Sequence, residues 1–297
     1  VQVYSADGAP LRGDLINRVI LRTDLTPIPS TVEVEASATR ETRAALAEGA
    51  MVLVGPEKVP YELVRIDGDK TMAVQQGARD VAPITAYGLL ASCAALGRRL
   101  QRSVIREGST FADIYRSIGA TAVVVSDFPV PRFAAFVGMI PTPEVARVLQ
   151  EEAAVVYLDG TKVRFRRLAE LIATAPLLSF PADRSEETAS AFLERQVIPY
   201  LVSTDAAGAV VTSRREAARG VRYHPRADAR TLTNMGTVLV QRRKIREGLS
   251  PALNAGARVD IAGKPHIVIT AAHVRATSTA QVPGEEYTQL WLGEVTS

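Results

Sequence analysis

The chain has 297 residues, 47% hydrophobic and 23% charged, with 35 Lys and Arg against 32 Asp and Glu. That length allows two or three domains with a sizeable core, and the balance excludes a disordered or low-complexity chain. The net charge of +3 permits contact with nucleic acid or an anionic surface without arguing for it. A single cysteine, Cys93, excludes an intrachain disulfide and favours the cytoplasm, or a particle assembled there, over a small secreted scaffold. The opening VQVYSADGAPLRGD lacks the basic and apolar regions of a signal peptide. The longest near-apolar run, 86–96, is far short of a membrane span.

Residues 15–22 and 31–36 alternate as half-buried strands: Val32, Val34 and Ala36 share one face and Glu33 and Glu35 the other. The loop between them, 24–30, carries Pro27 and Pro29, which exclude a central strand there. A short helical turn is expected over 44–49. The stretch 49–66, GAMVLVGPEKVPYELVRI, then reads as a Gly-opened apolar strand, a tight turn and a returning strand, ended by Asp67-Gly68. Leu89, Leu90, Cys93, Leu96 and Leu100 recur at three- and four-residue spacing and predict a helix over 86–100. A second helix is predicted over 111–118, capped by Ser109 or Thr110 and stopped by Gly119. A third covers 143–152, with Thr142 as cap and Pro143 at its first position. VVYLDGTKVRF, 155–165, reads as a hairpin with Asp159-Gly160 as a type I′ turn, and 166–174 turns helical again.

The Pro-containing stretch 176–185 reads as a boundary. Beyond it come a short helix or irregular segment over 188–197 and a possible hairpin over 198–212 around Ala206-Ala-Gly208. A strand over 237–241 continues into the basic run Arg242-Arg-Lys-Ile-Arg246, and a closing strand, 285–295, carries Tyr287, Leu290 and Trp291. The stretch 256–274, GARVDIAGKPHIVITAAHV, repeats the earlier pattern, with strands 257–261 and 266–270 joined at Ala-Gly-Lys-Pro. One small β unit therefore occurs twice, near each end, with α+β material between.

Signatures of catalysis are few. No nucleophile elbow, P-loop, His-Glu-x-x-His or dinucleotide pattern is present. His266 and His273 lie seven apart on an expected strand, hence on opposite faces, where they cannot share a metal. Cys93 in an apolar helix reads as a buried, inert thiol. Glu151-Glu152 and Glu285-Glu286 are visible carboxylate pairs, both expected to be solvated. Basic residues cluster at Arg98-Arg99 with Arg102, at 164–167, at Arg214-Arg215 and at 242–246. The last run puts charge on both strand faces, without the aromatic interleaving of a base-stacking surface, and reads as solvated or subunit-interface arginine. No catalytic, cofactor-binding or metal residue is assigned.

Leu253-Asn-Ala-Gly-Ala-Arg-Val-Asp-Ile-Ala-Gly-Lys-Pro-His-Ile-Val-Ile269, followed by Ala-Ala-His273 and by Tyr287-Thr-Gln-Leu-Trp-Leu292, resembles the last barrel of tailed-phage baseplate or tail hub proteins. The N-terminal order of strand, Pro-containing loop, strand, then Gly, strand, turn, Tyr and strand resembles the same family, related to the hub barrels of contractile injection systems. The resemblance implies an α+β, mainly β chain of two small tube-like β-barrels (1–85 and 181–297) around a small α+β domain (86–180). It implies a homotrimeric ring that adapts a sixfold tail tube to a threefold tip and leaves a channel for DNA. The implied partners are a tail tube or distal tail protein, a spike or tip protein, and a tape-measure protein. The implied location is the virion tail, assembled in the host cytoplasm, with no cofactor and no membrane span. On this reading Pro27, Pro29, Arg242, Arg243, Lys244 and Arg246 are expected at subunit contacts. Two other classes stay open from the sequence: a cell-wall-degrading tail enzyme using paired carboxylates, discriminated by a cleft with a raised carboxyl pKa, and a basic barrel binding single-stranded nucleic acid, discriminated by salt-dependent binding.

Overall fold

The computed structural model describes residues 1–68, 74–76, 79–81, 83–188, 199–205, 207–212, 220–225, 227–277 and 283–296. The chain is α+β and mainly β. Its first part holds β1 (Val3–Ser5), β2 (Ile16–Asp24), β3 (Ser30–Ser37), α1 (Arg40–Ala45), β4 (Met51–Val54), β5 (Val59–Gly68), β6 (Val74–Gln76), β7 (Arg79–Val81) and β8 (Pro83–Leu90). A 3-10 helix, Ala91–Gly97, leads to β9 (Val104–Thr110), α2 (Phe111–Ile118), β10 (Val124–Ser126), β11 (Pro129–Ala135), α3 (Thr142–Glu151), β12 (Ala154–Asp159), β13 (Lys162–Arg167) and α4 (Leu168–Ile172). The last part holds β14 (Leu178–Phe180), β15 (Glu186–Glu187), β16 (Tyr200–Thr204), β17 (Val210–Thr212), β18 (Val221–Tyr223), α5 (Ala229–Gly236), β19 (Val238–Gly248), β20 (Arg258–Ile261), β21 (Lys264–Ala276) and β22 (Glu285–Thr296). Among the described residues no helix is long and apolar enough to cross a membrane.

One large sheet carries the molecule. Its strand order is β1-β4-β5-β8-β3-β2-β21-β22-β19-β15, with β20 on β21 and β14 parallel to β20. Among the described residues the N-terminal strands thus meet the C-terminal strands at one antiparallel ladder, β2 against β21, from Arg18 opposite Ala276 to Asp24 opposite Thr270. The stretch read as a boundary contributes β14 to the C-terminal strands, through Leu178 opposite Val259 and Phe180 opposite Ile261.

The two stretches singled out by their glycines are built alike, hydrogen bond by hydrogen bond. Gly49 N donates to Leu63 O (2.7 Å) and Leu63 N to Ala50 O (2.9 Å); Gly256 N donates to Val268 O (2.9 Å) and Val268 N to Ala257 O (2.9 Å). Both glycines take positive φ, 80° and 86°, which L side chains disfavour. In each case the returning strand then bulges, between Leu63 and Arg65 and between Val268 and Thr270. A bulge bends its strand and increases the local twist. The flanking register also matches. Tyr87 stands opposite Arg65, with Glu33 beyond it; Trp291 stands opposite Thr270, with Lys244 beyond it. The duplication thus extends across β5-β8-β3 and β21-β22-β19.

The middle region shares a continuous apolar cluster with the N-terminal strands, from Val3 through Phe165. Its centre is aromatic: Phe111 stacks on Phe165 at 4.6 Å, and Phe128 and Tyr115 meet that pair edge-on. Helix α2 begins where Thr110 accepts from Asp113 N and Asp127 accepts from the N–H groups of Phe111 and Ala112, so its first-turn donors are satisfied. Gly119 stops it in the left-handed conformation.

Four local expectations need correction. One is the start of α3, which includes Thr142, has Pro141 at its N-cap and lacks a side-chain cap, because the Thr142 hydroxyl donates to Leu96 O at 2.8 Å instead. Residues 86–90 are strand, and the helical turn begins only at Ala91. In β8 the inward positions Ile84, Ala86, Gly88 and Leu90 alternate, and pairing to both β3 and β5 satisfies that period over the helical spacing of the leucines. The 155–165 hairpin turns one residue later than expected: Asp159 pairs with Lys162, leaving Gly160 and Thr161 in the turn. Gly160 alone takes positive φ (60°), the pattern of a type II′ turn. Helix α1 begins ahead of the expected 44–49 turn and overlaps it only at Ala44 and Ala45, started by a capping box between Thr39 and Thr42. The 198–212 hairpin is present as β16 paired with β17. The segment expected over 188–197 falls outside the described residues except for Thr188, as does Ala206.

The equivalent glycines differ in one respect. A Cβ on Gly256 would lie 2.6 Å from the Tyr157 ring, whereas one on Gly49 meets nothing within 4 Å. Gly49→Ala is expected to cost about 1–2 kcal/mol, the left-handed penalty alone. Gly256→Ala should lose a further ~1–3 kcal/mol from overpacking. Urea denaturation of the two variants checks this, and equal losses would contradict it.

Candidate functional site

The junction of the two repeated units is organised around a buried histidine. His273 is 2% exposed, on β21 opposite Leu21 of β2 and Thr288 of β22. Its Nε2 lies 3.0 Å from Asn254 Oδ1, an acceptor, so that nitrogen carries the proton. Nδ1 then accepts from the Thr288 hydroxyl at 3.0 Å, and Thr288 Oγ1 accepts in turn from Ser250 N at 2.9 Å. Thr23 of β2 completes the network by donating to Asn254 Oδ1 and accepting from Ala255 N at 2.9 Å. The neutral imidazole thereby holds the 249–257 connection against both halves of the sheet. Burial pushes its pKa down to about 4.

A cavity of about 240 Å³ lies beside this junction, with Leu21, Thr23, Ser30, Tyr61, Asn254 and His273 in its wall. Its buried polar groups are already paired; Ser30 and Tyr61, for example, share a hydrogen bond of 2.7 Å. Burial raises the Tyr61 hydroxyl to about 12, so it stays protonated. Glu57 also lines the cavity and is exposed, whereas the residues named above pack the junction.

The two histidines of β21 share a face, contrary to the seven-residue parity argument. The bulge after Val268 inserts one residue, and Val268 and Ala271 consequently pack in the same core cluster. They nevertheless lie about 20 Å apart at strand rise and have separate surroundings: His266 Nδ1 sits 3.0 Å from Lys264 O, and its Nε2, 3.0 Å from Glu294, makes no hydrogen bond among the described residues. Among the described residues no group of three or more His, Cys, Asp or Glu is placed to hold a metal. Cys93 is fully buried in the 3-10 helix, and burial raises its thiol to about 12, which removes the thiolate a nucleophile needs.

Glu152 is buried (2% exposed), not solvated as expected. Burial opposes its charge, but hydrogen bonds from Arg230 and Arg167 outweigh that and hold its pKa below the usual carboxylate range. Glu151 is bound to Arg147 and to His224, and its carbonyl accepts from Asn234. These contacts fasten α3 to β13 and α5, which makes the pair a structural clamp. Glu285 and Glu286 are half-exposed and paired with Arg246 and Arg275, each at 2.9 Å.

The six residues expected at subunit contacts divide into two groups. Pro27 and Pro29 are buried in the loop between β2 and β3, where Pro27 O accepts from the Tyr115 hydroxyl at 2.8 Å. That loop joins the first strands to the middle region within this chain. Arg242, Arg243, Lys244 and Arg246 lie on β19 beside the end of the sheet. Arg243 donates to Ser185 at 2.8 Å, Lys244 pairs with Glu186 at 2.9 Å, and Arg242 lies 3.8 Å from Glu294. Arg246 pairs with Glu285 and lies 3.7 Å over the Tyr287 ring. Acids of β15 and β22 thus answer the basic run, which leaves it a poor stripe for phosphate. The edge strand β15 was not anticipated. Its one signal was the acidic Glu186-Glu187 pair, complementary to Arg243 and Lys244 across the ladder. The cluster at Arg214-Arg215 lies outside the described residues.

No family model matches this chain, and no curated protein matches it. Among solved structures it is similar to the tail protein from Neisseria meningitidis MC58, with a TM-score of 0.68 and 10% identity over 99% of this chain and 95% of that one. It is similar to the 43 kDa tail protein of prophage MuSo2 from Shewanella oneidensis, with a TM-score of 0.60 and 11% identity over 99% and 97% of the two chains. It is also similar to the E. coli c3393 protein, with a TM-score of 0.53 and 10% identity over 95% and 76%. That protein is described as a component of the type VI secretion system with structural similarity to the T4 bacteriophage tail proteins gp27 and gp5. The class is therefore defined by fold: this chain has the fold of phage tail proteins and of a type VI secretion component.

The buried neutral imidazole makes stability depend on pH in a definite direction. Unfolded His273 binds a proton below about 6.5, whereas in the folded chain it does so only below about 4. Stability is therefore complete above the higher value and falls as pH drops through that window, by about 2 kcal/mol between pH 7 and pH 5. Urea unfolding at the two pH values should show this loss in the native chain and a clearly flatter profile in His273→Gln. An unchanged profile in the variant would contradict the assignment.

Proposed function

We propose that this chain is a structural hub protein of a phage tail or a related injection machine. The observation that carries the reading is the duplicated unit, matched in glycine, bulge and strand register, within a fold shared with tail proteins. On this reading residues 1–85 and 181–297 form two tube-like barrels around the 86–180 region. Three copies place six similar units around a ring. Such a ring matches a sixfold tail tube on one face and a threefold spike or tip on the other, and its centre passes DNA. Its partners are then two further copies of itself, a tail tube or distal tail protein, a spike or tip protein and a tape-measure protein. Its place is the virion tail, after assembly in the host cytoplasm. Arg242, Arg243, Lys244 and Arg246 remain the proposed interface residues; Pro27 and Pro29 would act indirectly, by fixing the β2–β3 loop.

The reading calls for no chemistry by the protein itself. The carboxylate pair considered for a cell-wall enzyme is bound into the clamp between α3, β13 and α5. The basic run considered for nucleic acid is answered by Glu186, Glu285 and Glu294.

Electron microscopy of the purified chain, alone and mixed with tail-tube protein, tests the proposal. The expected result is threefold rings with six similar lobes around an open centre in at least one sample. Compact monomers in both would overturn it.

A further inference from the structure

The repeat junction inside the chain is itself a template for a junction between chains. β2 lies at the edge of the first unit and pairs with β21 of the second, with Leu21 opposite His273 and Arg22 opposite Ala272. The second unit has its own counterpart of β2, and the first has its own counterpart of β21. Strand register identifies both. Starting from the bulges, Leu63 stands opposite Gly88, Gly88 opposite Val32 and Val32 opposite Leu21. In the second unit Val268 stands opposite Leu292, Leu292 opposite Arg243 and Arg243 opposite Glu187. Glu187 of β15 therefore occupies the place of Leu21, Glu186 that of Ile20, and the strands run in the same direction. Thr188 extends the match, since its N–H donates to Arg242 O at 2.8 Å. On the other side, Arg65 occupies the place of Thr270, so Asp67 and Gly68 of β5 occupy the places of Ala272 and His273.

The outer edges of these two counterparts have no strand partner among the described residues. β15 pairs only with β19 there, and β5 beyond Leu63 pairs only with β8. Glu186 and Glu187 are exposed, and Val64, at the β5 bulge, is 40% exposed. The two edges lie near opposite ends of one strand path, so a match between them runs head to tail from copy to copy. An unpaired edge is a row of unmet backbone donors and acceptors, which pairing would satisfy.

We propose that β15 pairs antiparallel with β5 of a second copy of this chain, placing Glu187 opposite Gly68 of the partner subunit and Thr188 opposite Asp67 of the partner subunit. The inference rests on the hub reading for the number of copies that close the ring; the register rests on the internal junction alone. The residues along the proposed ladder are more polar than those of the internal one. Glu186, Glu187 and Thr188 stand where β2 has Ile20, Leu21 and Arg22, and Asp67 and Gly68 stand where β21 has Ala272 and His273. A polar ladder lets each subunit stay soluble before assembly, whereas the internal junction is buried as the chain folds.

Engineered disulfides in the full chain test the register. Opposed residues of an antiparallel pair bring their Cβ atoms to about 4.5–5.5 Å, near disulfide reach, and a two-residue slip does not. The in-register pairs are Thr188→Cys with Asp67→Cys and, as a second variant, Glu187→Cys with Gly68→Cys; the slipped pair is Thr188→Cys with Arg65→Cys. The native Cys93 is buried and stays in place. Each variant is oxidised with copper phenanthroline, run on a non-reducing gel, and imaged by electron microscopy in the same sample. The expected result is that an in-register pair converts most of the chain to covalent multimers ending at the closed ring, while the slipped pair and the single-cysteine variants do not. Rings that form while neither in-register pair links would overturn the ladder and leave the hub reading standing. Equal linking by in-register and slipped pairs would overturn the register. No association at all would overturn both.

Discussion

The ladder between β2 and β21 is the contact on which the rest of the molecule depends. Among the described residues it is the one run of strand pairing that joins the first strands to the last. If it slipped by one residue, every side chain of one strand would move to the other face. Several groups fix it in place. Ile20 packs with Ala272, Val274, Tyr287 and Trp291 on one side. On the other, Thr23, Asn254, His273 and Thr288 form a closed polar network whose geometry requires one tautomer of one imidazole. Apolar packing supplies the driving force and is tolerant of register; the polar network is not, because a displaced strand would leave buried donors and acceptors unpaired.

The unit on either side of that ladder follows a rule used twice. A positive-φ glycine lets the chain enter a hairpin, the returning strand bulges soon afterwards, and an aromatic residue of the next strand faces the residue after the bulge. The glycines and the paired apolar strands were legible in the sequence, because both are local signals. So were the 155–165 hairpin, the α2 helix with its Thr110 cap and Gly119 stop, and the long final strand. The bulges were not legible: Val64 and Ile269 are ordinary strand residues, and only pairing with β8 and β22 reveals that each is extra. That hidden residue reversed the parity of His266 and His273.

Competing periods account for other misreadings. Leu89, Leu90, Cys93 and Leu96 satisfy a helix, while Ile84, Ala86, Gly88 and Leu90 satisfy a strand, and the choice was made by β3 and β5, distant in sequence. Glu152 could not be recognised as buried because its partners come from β13 and α5. Pro27 and Pro29 break the strand as the sequence predicts, but their burial, with Pro27 O on the Tyr115 hydroxyl of α2, is a tertiary fact. The edge strand β15 is two residues long and pairs across the whole of the β16–α5 insertion, which leaves no local pattern to find.

Among the described residues Glu152 is paired with two arginines, His273 and Tyr61 are held neutral, Cys93 is buried with a raised thiol pKa, and the repeated units sit side by side in one sheet. The central claim is that the two units are equivalent parts of a larger ring. A cryo-electron microscopy reconstruction of the assembled ring, refined without imposed symmetry, measures this most directly. The account predicts six lobes of like backbone in which junctions within chains and junctions between chains superpose. Lobes of two unlike kinds, or chains that meet through the middle region with β15 and β5 left open, would contradict it.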